Sequence, residues 1–199
     1  MSRIFIFLIA MIISLTSVGL IHAGPVLWDF NGHLYDVILQ SGINWNNARS
    51  AAQALGAGWD LATITSANEQ TFIQSLLPLP NQIERSEFWL GGYQSPQSGP
   101  PDQNWHWVTG ESWSYQNWGP GQPDEWSGDP AGGQYYLAMD SNGGNWAWDD
   151  NTGSLWVIKG FIVENHIPIP EPATMLLLGI GFFGIGMFSR LRRKRGYTE

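Results

Sequence analysis

Phe88-Trp89-Leu90-Gly91-Gly92 is a run of bulky apolar residues closed by two glycines, the pattern of a short strand buried on both faces. It divides the chain into two halves of different character. On its N-terminal side, apolar and polar residues alternate from Val26 to Leu39 around Asn31-Gly32, which predicts a hairpin. Asn44 then reads as an N-cap, with Trp45, Ala48, Ala52 and Leu55 along one helical face and Gly56 as the stop. Ser66 with Glu69 forms a capping box for a second helix, whose apolar face is Phe72, Ile73, Leu76 and Leu77 before Pro78 ends it. On the C-terminal side, short strands are predicted over 105–108, 135–139, 146–148 and 161–164, separated by turn-forming residues. They leave a long irregular stretch from Ser112 to Gly133, and a loop of that length inside a compact domain tends to carry function. Helices gathered ahead of the strands make this an α+β chain.

The 199 residues suffice for one domain plus targeting segments. Between Gly24 and Ile167 there are three basic residues, Arg49, Arg85 and Lys159, against 15 acidic ones, so the net charge of that span is 3 − 15 = −12. Nucleic acid is not an expected partner, because that span offers no basic surface to hold phosphates. Clustered carboxylates at this density are relieved by a divalent cation, although acidity also serves plain solubility. There is no cysteine, so no disulfide staples the fold, and the 12 tryptophans supply buried aromatic area in its place. His33, His106 and His166 lack metal-ligand spacing and read as structural or surface residues.

The two ends read as targeting segments. Residues 1–23 carry Arg3, an apolar run from Ile4 to Ile21 and a small Ala23, as a secretory signal peptide does. From 168 to 199, Pro170-Glu171-Pro172 precedes an apolar run from Ala173 to Phe188 and a basic cluster from Arg190 to Arg195. That order predicts a short membrane anchor with its basic end in the cytoplasm. The tail resembles the PEP-CTERM sorting signal of Gram-negative bacteria. The resemblance implies transient membrane anchoring, processing by an exosortase at the sorting motif, and release to the cell envelope or extracellular matrix. A plain C-terminal anchor is the alternative.

Residues 24–167 resemble the C-type lectin-like domain. Trp45-Asn46-Asn47-Ala48-Arg49-Ser50-Ala51-Ala52 is similar to the family's first helix, and Leu61-Ala62-Thr63-Ile64 with Ser66 to Phe72 is similar to its second. Phe88-Trp89-Leu90-Gly91 resembles its core strand, and Trp105-His106-Trp107-Val108-Thr109-Gly110 to Asn117-Trp118 the segment entering its long loop. The family's cysteines are absent, with Tyr136 where one is expected. The resemblance implies a calcium-dependent carbohydrate site on two loops, Gly121-Gln122-Pro123-Asp124-Glu125-Trp126 and Trp146-Ala147-Trp148-Asp149-Asp150. Gln122, Asp124, Asp149 and Asp150 would be the Ca2+ ligands, Pro123 a cis proline aiming its neighbours at one ion, and Gln134 the counterpart of a family glutamate. Calcium accepts a mixed shell of about 6–8 oxygens, and with Gln134 neutral the expected affinity is weak, ~10⁻⁴ to 10⁻³ M.

The resemblance also carries specificity. Gln122, Asp124 and Asp149 would hydrogen-bond sugar hydroxyls beside the ion, and an amide donates where an acid only accepts. In this family Gln-Pro-Asp goes with galactose-type sugars and Glu-Pro-Asn with mannose-type ones; this chain has the former. Trp126 would stack on the sugar face, with Gly128, Gly132 and Gly133 in the loop after it. The expected partner is therefore a galactose-type glycan or exopolysaccharide. Taken singly, Gln122-Pro123-Asp124 is a common turn, Asp149-Asp150 reads as a solvated turn and Trp126 as a core aromatic. A calcium-independent structural or protein-binding role in the envelope or biofilm matrix is the alternative function. No catalytic constellation is recognisable, and an enzyme is not expected.

Overall fold

The computed structural model describes residues 24–77, 85–125, 133–141, 146–152 and 157–167. The strands are β1 (Val26–Trp28), β2 (His33–Leu39), β3 (Trp59–Leu61), β4 (Glu87–Gln94), β5 (Trp105–Trp107), β6 (Tyr136–Asp140), β7 (Ala147–Asn151) and β8 (Ile158–Asn165). Two helices, α1 (Trp45–Gln53) and α2 (Ala67–Leu76), complete the described elements. The strands form one sheet in the order β1-β2-β8-β4-β6-β7, with β3 added to β8 and β5 to β4. β4 and β8 run parallel at the centre, and the remaining pairings are antiparallel. The α+β architecture read from the sequence is the one observed.

The pleat divides the core in two. Phe88, Leu90, Leu137, Met139, Trp148 and Ile162 point to one face, where Ile73 of α2 packs. Trp89, Ala138, Phe161 and Val163 point to the other, where Trp45, Ala48 and Ala52 of α1 pack. Strand residues alternate faces, so consecutive side chains of β4, β6 and β8 serve opposite cores. Both central strands are covered on both sides, which is why the Phe88-Trp89-Leu90 run is unbroken by polar residues. Gly160 lets β8 pass against β2: a Cβ there would lie 2.0 Å from the Ile38 carbonyl oxygen.

The caps follow the sequence with one difference. The Asn44 side chain accepts from the Asn47 amide, and Ser66 Oγ accepts from the Glu69 amide at 3.2 Å. The Glu69 carboxylate does not return to Ser66 as a reciprocal capping box requires. It is buried, taking the Thr65 amide at 2.7 Å and the Tyr35 hydroxyl at 2.5 Å. The same hydroxyl lies 3.1 Å from Glu164, whose other oxygen accepts from the Thr63 amide at 2.9 Å. His33 Nδ1 sits 2.5 Å from Glu164 and carries a pKa raised by that hydrogen bond, which outweighs its partial burial. This buried polar post fastens the first hairpin to β8 and α2.

Aromatic packing stands where crosslinks were missing. Tyr136 stacks on Trp45 with centroids 4.7 Å apart, tying β6 to α1. Trp105, Trp107, Trp113, Trp118 and Trp148 form a continuous cluster under the start of the long loop. Each such pair contributes roughly 0.5–1.5 kcal/mol beyond the area it buries.

Candidate functional site

β7 is the edge strand of the sheet, and the long loop is laid along it. The Trp148 amide donates to the Asn117 carbonyl and the Gly119 amide to the Trp148 carbonyl, both at 2.8 Å, a parallel bridge that continues the sheet by one residue. The chain then turns: the Gln122 amide donates to the Gly119 carbonyl at 3.0 Å, and Gly121 supplies the positive φ. The Gln122–Pro123 peptide bond is cis.

Beyond the proline, two successive amides converge on one carboxylate. Asp124 N–H donates to Asp150 Oδ1 and Glu125 N–H to Asp150 Oδ2, each at 2.9 Å. Glu125 takes a left-handed φ of 45°, which turns both amides the same way and makes a small anion nest. Asp150 is fully buried, and its pKa is raised because burial outweighs the stabilising amides.

The sequence placed Asp149 and Asp150 on a loop, with a solvated turn as the alternative. Both lie within β7, paired with Ala138 and Leu137, and both are buried. A strand sends neighbouring side chains to opposite faces, so the pleat separates them. Asp150 faces the loop that carries Gln122, Pro123 and Asp124. Asp149 shares the opposite face with Ala138 and meets Arg85, Glu87 and Asp140.

That second group was not anticipated. Glu87, Asp140 and Asp149 each bring a carboxylate oxygen within 4.8 Å of the others, and all three are buried. The Arg85 guanidinium reaches every one of them. Its Nε donates to Asp140 Oδ2 at 3.1 Å, one terminal nitrogen lies 2.8 Å from Glu87 Oε1, and the same nitrogen contacts Asp149 Oδ2. Glu87 Oε2 accepts from Asn151 Nδ2 at 2.6 Å. Burial pushes Glu87 up to about 7 and Asp149 up to about 8, the latter reinforced by the neighbouring Glu87 charge. The only legible signal was that Arg85 is one of three basic residues in a span of 15 acids. Glu87, next to the apolar run, gave no hint of burial.

Gln134 is buried just ahead of β6. Gly133 is described, but Trp126, Gly128 and Gly132 lie outside the described residues, as does the sorting motif Pro170, Glu171 and Pro172. So does the apolar run expected to anchor the chain; among the described residues no helix is long and apolar enough to cross a membrane.

The donor set suits a hard cation. Among the described residues, Gln122 Oε1 on the loop, and Asp149 Oδ1 and Glu87 Oε1 on the far face of β7, are buried oxygens that accept no hydrogen bond, an arrangement that costs roughly 1–3 kcal/mol per atom unless another partner is supplied. Asp124 lies in the same turn, with its amide on the Asp150 carboxylate, and every side chain of this candidate set offers oxygen, the chemistry calcium takes.

The solved C-type lectin CEL-I from Cucumaria echinata superposes with a TM-score of 0.54 at 22% identity, covering 67% of this chain and 89% of that one. The lectin C-type domain model matches residues 41–154, more than half of the chain, and the PEP-CTERM protein-sorting motif matches 168–194. The chain belongs to the C-type lectin domain family, a carbohydrate-binding, non-enzymatic family, and carries a PEP-CTERM tail. Human C-type lectin domain family 10 member A is 33% identical over 53% of this chain and 30% of its own length. Asialoglycoprotein receptor 1 of Rattus norvegicus is 32% identical over 61% of this chain and 39% of its own. The matched stretch thus spans about a third of these curated relatives.

Proposed function

We propose that residues 24–167 form an exported, calcium-dependent lectin of galactose-type preference. The observation that carries the reading is the seam between the two segments. The cis Gln122-Pro123-Asp124 turn is fastened to β7 through Asp150, and a buried oxygen of that turn, Gln122 Oε1, has no hydrogen-bond partner. Gln122, Asp124, Asp149 and Asp150 would hold calcium, whose open positions accept two neighbouring sugar hydroxyls.

The chain's own groups set the sense of recognition. The Gln122 amide donates to one hydroxyl while the Asp124 carboxylate accepts from the other, and interchanging amide and acid reverses that pattern. Asp150, locked by two backbone amides, fixes the distance between turn and strand so that no ordering is required when sugar arrives. Trp126 is assigned the stacking role on the sugar face, and Gln134 a neutral place in the ligand shell.

Residues 1–23 would direct export. The tail would be held in the membrane and then processed by an exosortase at Pro170-Glu171-Pro172, releasing the domain to the envelope or matrix of a Gram-negative bacterium. Weak single-site affinity is then offset by dense display. The test is retention of residues 24–167 on immobilised galactose in millimolar calcium, with elution by chelator. Retention that persists in chelator sinks the calcium mechanism; no retention on any glycan in calcium sinks the lectin reading.

One observation favours a second reading. Asp150 accepts two backbone amides, and Asp149 is ion-paired with Arg85. On that reading the domain is a calcium-independent structural or protein-binding part of the matrix, and a blank glycan screen with retained binding to a matrix protein would support it.

A further inference from the structure

We infer that Arg85 is a positioning residue that competes with calcium for Asp149 and so sets the calcium affinity of the site. The inference rests on the calcium reading above and adds a residue that lies outside the ligand set.

The argument starts from the pleat. Within a regular strand Asp149 and Asp150 cannot both face the loop, and here Asp149 is on the far side. What holds it there is one guanidinium, that of Arg85, which touches Glu87, Asp140 and Asp149 together. The planar fork of an arginine side chain allows this: Nε is committed to Asp140, and a terminal nitrogen is shared between Glu87 and Asp149.

The sharing is unequal to the demand. Three buried carboxylates divide one guanidinium among them, and Asp149 Oδ1 and Glu87 Oε1 each accept no hydrogen bond. Asp149 is the member best able to leave, because among the described residues Arg85 is its one side-chain partner, whereas Asp140 is aligned with Nε and Glu87 is also held by Asn151. Its departure leaves Arg85 with two acids in place of three. β7 is the sheet edge, and beyond the loop's bridge to Trp148 no strand among the described residues pairs with it on that side, which leaves the Asp149 side chain a route around the edge toward the loop. Calcium binding then includes breaking the Arg85 contact, and the apparent affinity is lowered by the strength of that contact.

Calcium titration by calorimetry on four proteins tests this: the wild-type domain, Arg85→Gln, Asp149→Asn and the double variant. If Arg85 acts through Asp149, Arg85→Gln tightens calcium by roughly tenfold or more, the scale of one charged hydrogen bond. In the Asp149→Asn background the same substitution changes nothing. Equal tightening in both backgrounds overturns the inference, since it signals only the loss of a nearby positive charge. Unchanged or weaker binding in Arg85→Gln overturns it as well. Binding by none of the four proteins fails the calcium reading itself and the inference with it. Should Arg85→Gln not fold, Arg85→Gln with Glu87→Gln keeps the local charge balance and removes the same competitor. Tightening relative to Glu87→Gln alone is then the expected result, and its absence is the refutation.

Discussion

Asp150→Asn tests the seam on which the site depends. The Asp150 carboxylate accepts the Asp124 and Glu125 amides at 2.9 Å each, in a fully buried position. Hydrogen bonds to a charged acceptor contribute about 1.5–3 kcal/mol apiece. Asparagine keeps one acceptor oxygen and sets an NH2 donor against the other amide, so one bond is lost. Part of the loss is recovered because burial disfavours the ionised form of Asp150, which leaves a net cost of about 1–2 kcal/mol. At about 2–4 °C per kcal/mol, melting in chelator falls by about 2–8 °C. The local signature is sharper: amide exchange at Asp124 and Glu125 accelerates by roughly tenfold, while that of β4 and β8 follows only the global change. On the proposed calcium reading, uptake of the ion is lost too, since Asp150 is one of the proposed ligands. Unaltered exchange at those two amides, together with an unchanged melting temperature in chelator, would refute the idea that Asp150 fastens the turn to the strand.

His33, whose pKa is raised in the fold, lends stability that is fully present below its unfolded value of about 6.5 and fades as pH rises through the folded value. Urea unfolding at pH 6 and pH 9 should show this decline, and His33→Gln should reduce it. Gly160→Ala forces a methyl to 2.0 Å from the Ile38 carbonyl and should cost about 3 kcal/mol, read from the urea midpoint. Exchanging the two flanking ligands, Gln122→Glu with Asp124→Asn, should move retention from a galactose column to a mannose column while the fold, followed by circular dichroism, is unchanged. If the pair still prefers galactose, the hydrogen-bond sense of that turn does not set specificity.

The fold was legible where one residue answers to one local rule. Asn44 and Ser66 cap the helices they introduce, Asn31-Gly32 falls in the connection between β1 and β2, and the apolar run at Phe88 is the central strand. β3 was not read as a strand, because Trp59-Asp60-Leu61 is too short to show a period and exists only through pairing with β8. At the site, the Gln-Pro-Asp turn was found from its residues. The partition of Asp149 from Asp150 was not, since it depends on β7 running on through both of them. Nor was the partnership of Arg85, Glu87 and Asp140 visible. Arg85 and Glu87 lie more than fifty positions from Asp140, and only the β4–β6 and β6–β7 registers bring them together.

The order of the sheet also has a bearing on how the domain is presented. Val26 of β1 pairs with Tyr35, which pairs with Glu164 near the end of β8, so the first and last described strands begin and end at the same rim. From β8, three inter-strand steps of about 4.8 Å lead through β4 and β6 to β7, so the loop-bearing border stands about 14 Å from the point of attachment. If the domain is tethered through the residues after β8, as proposed, the proposed recognition edge is held clear of the anchor, open to a polymer passing alongside.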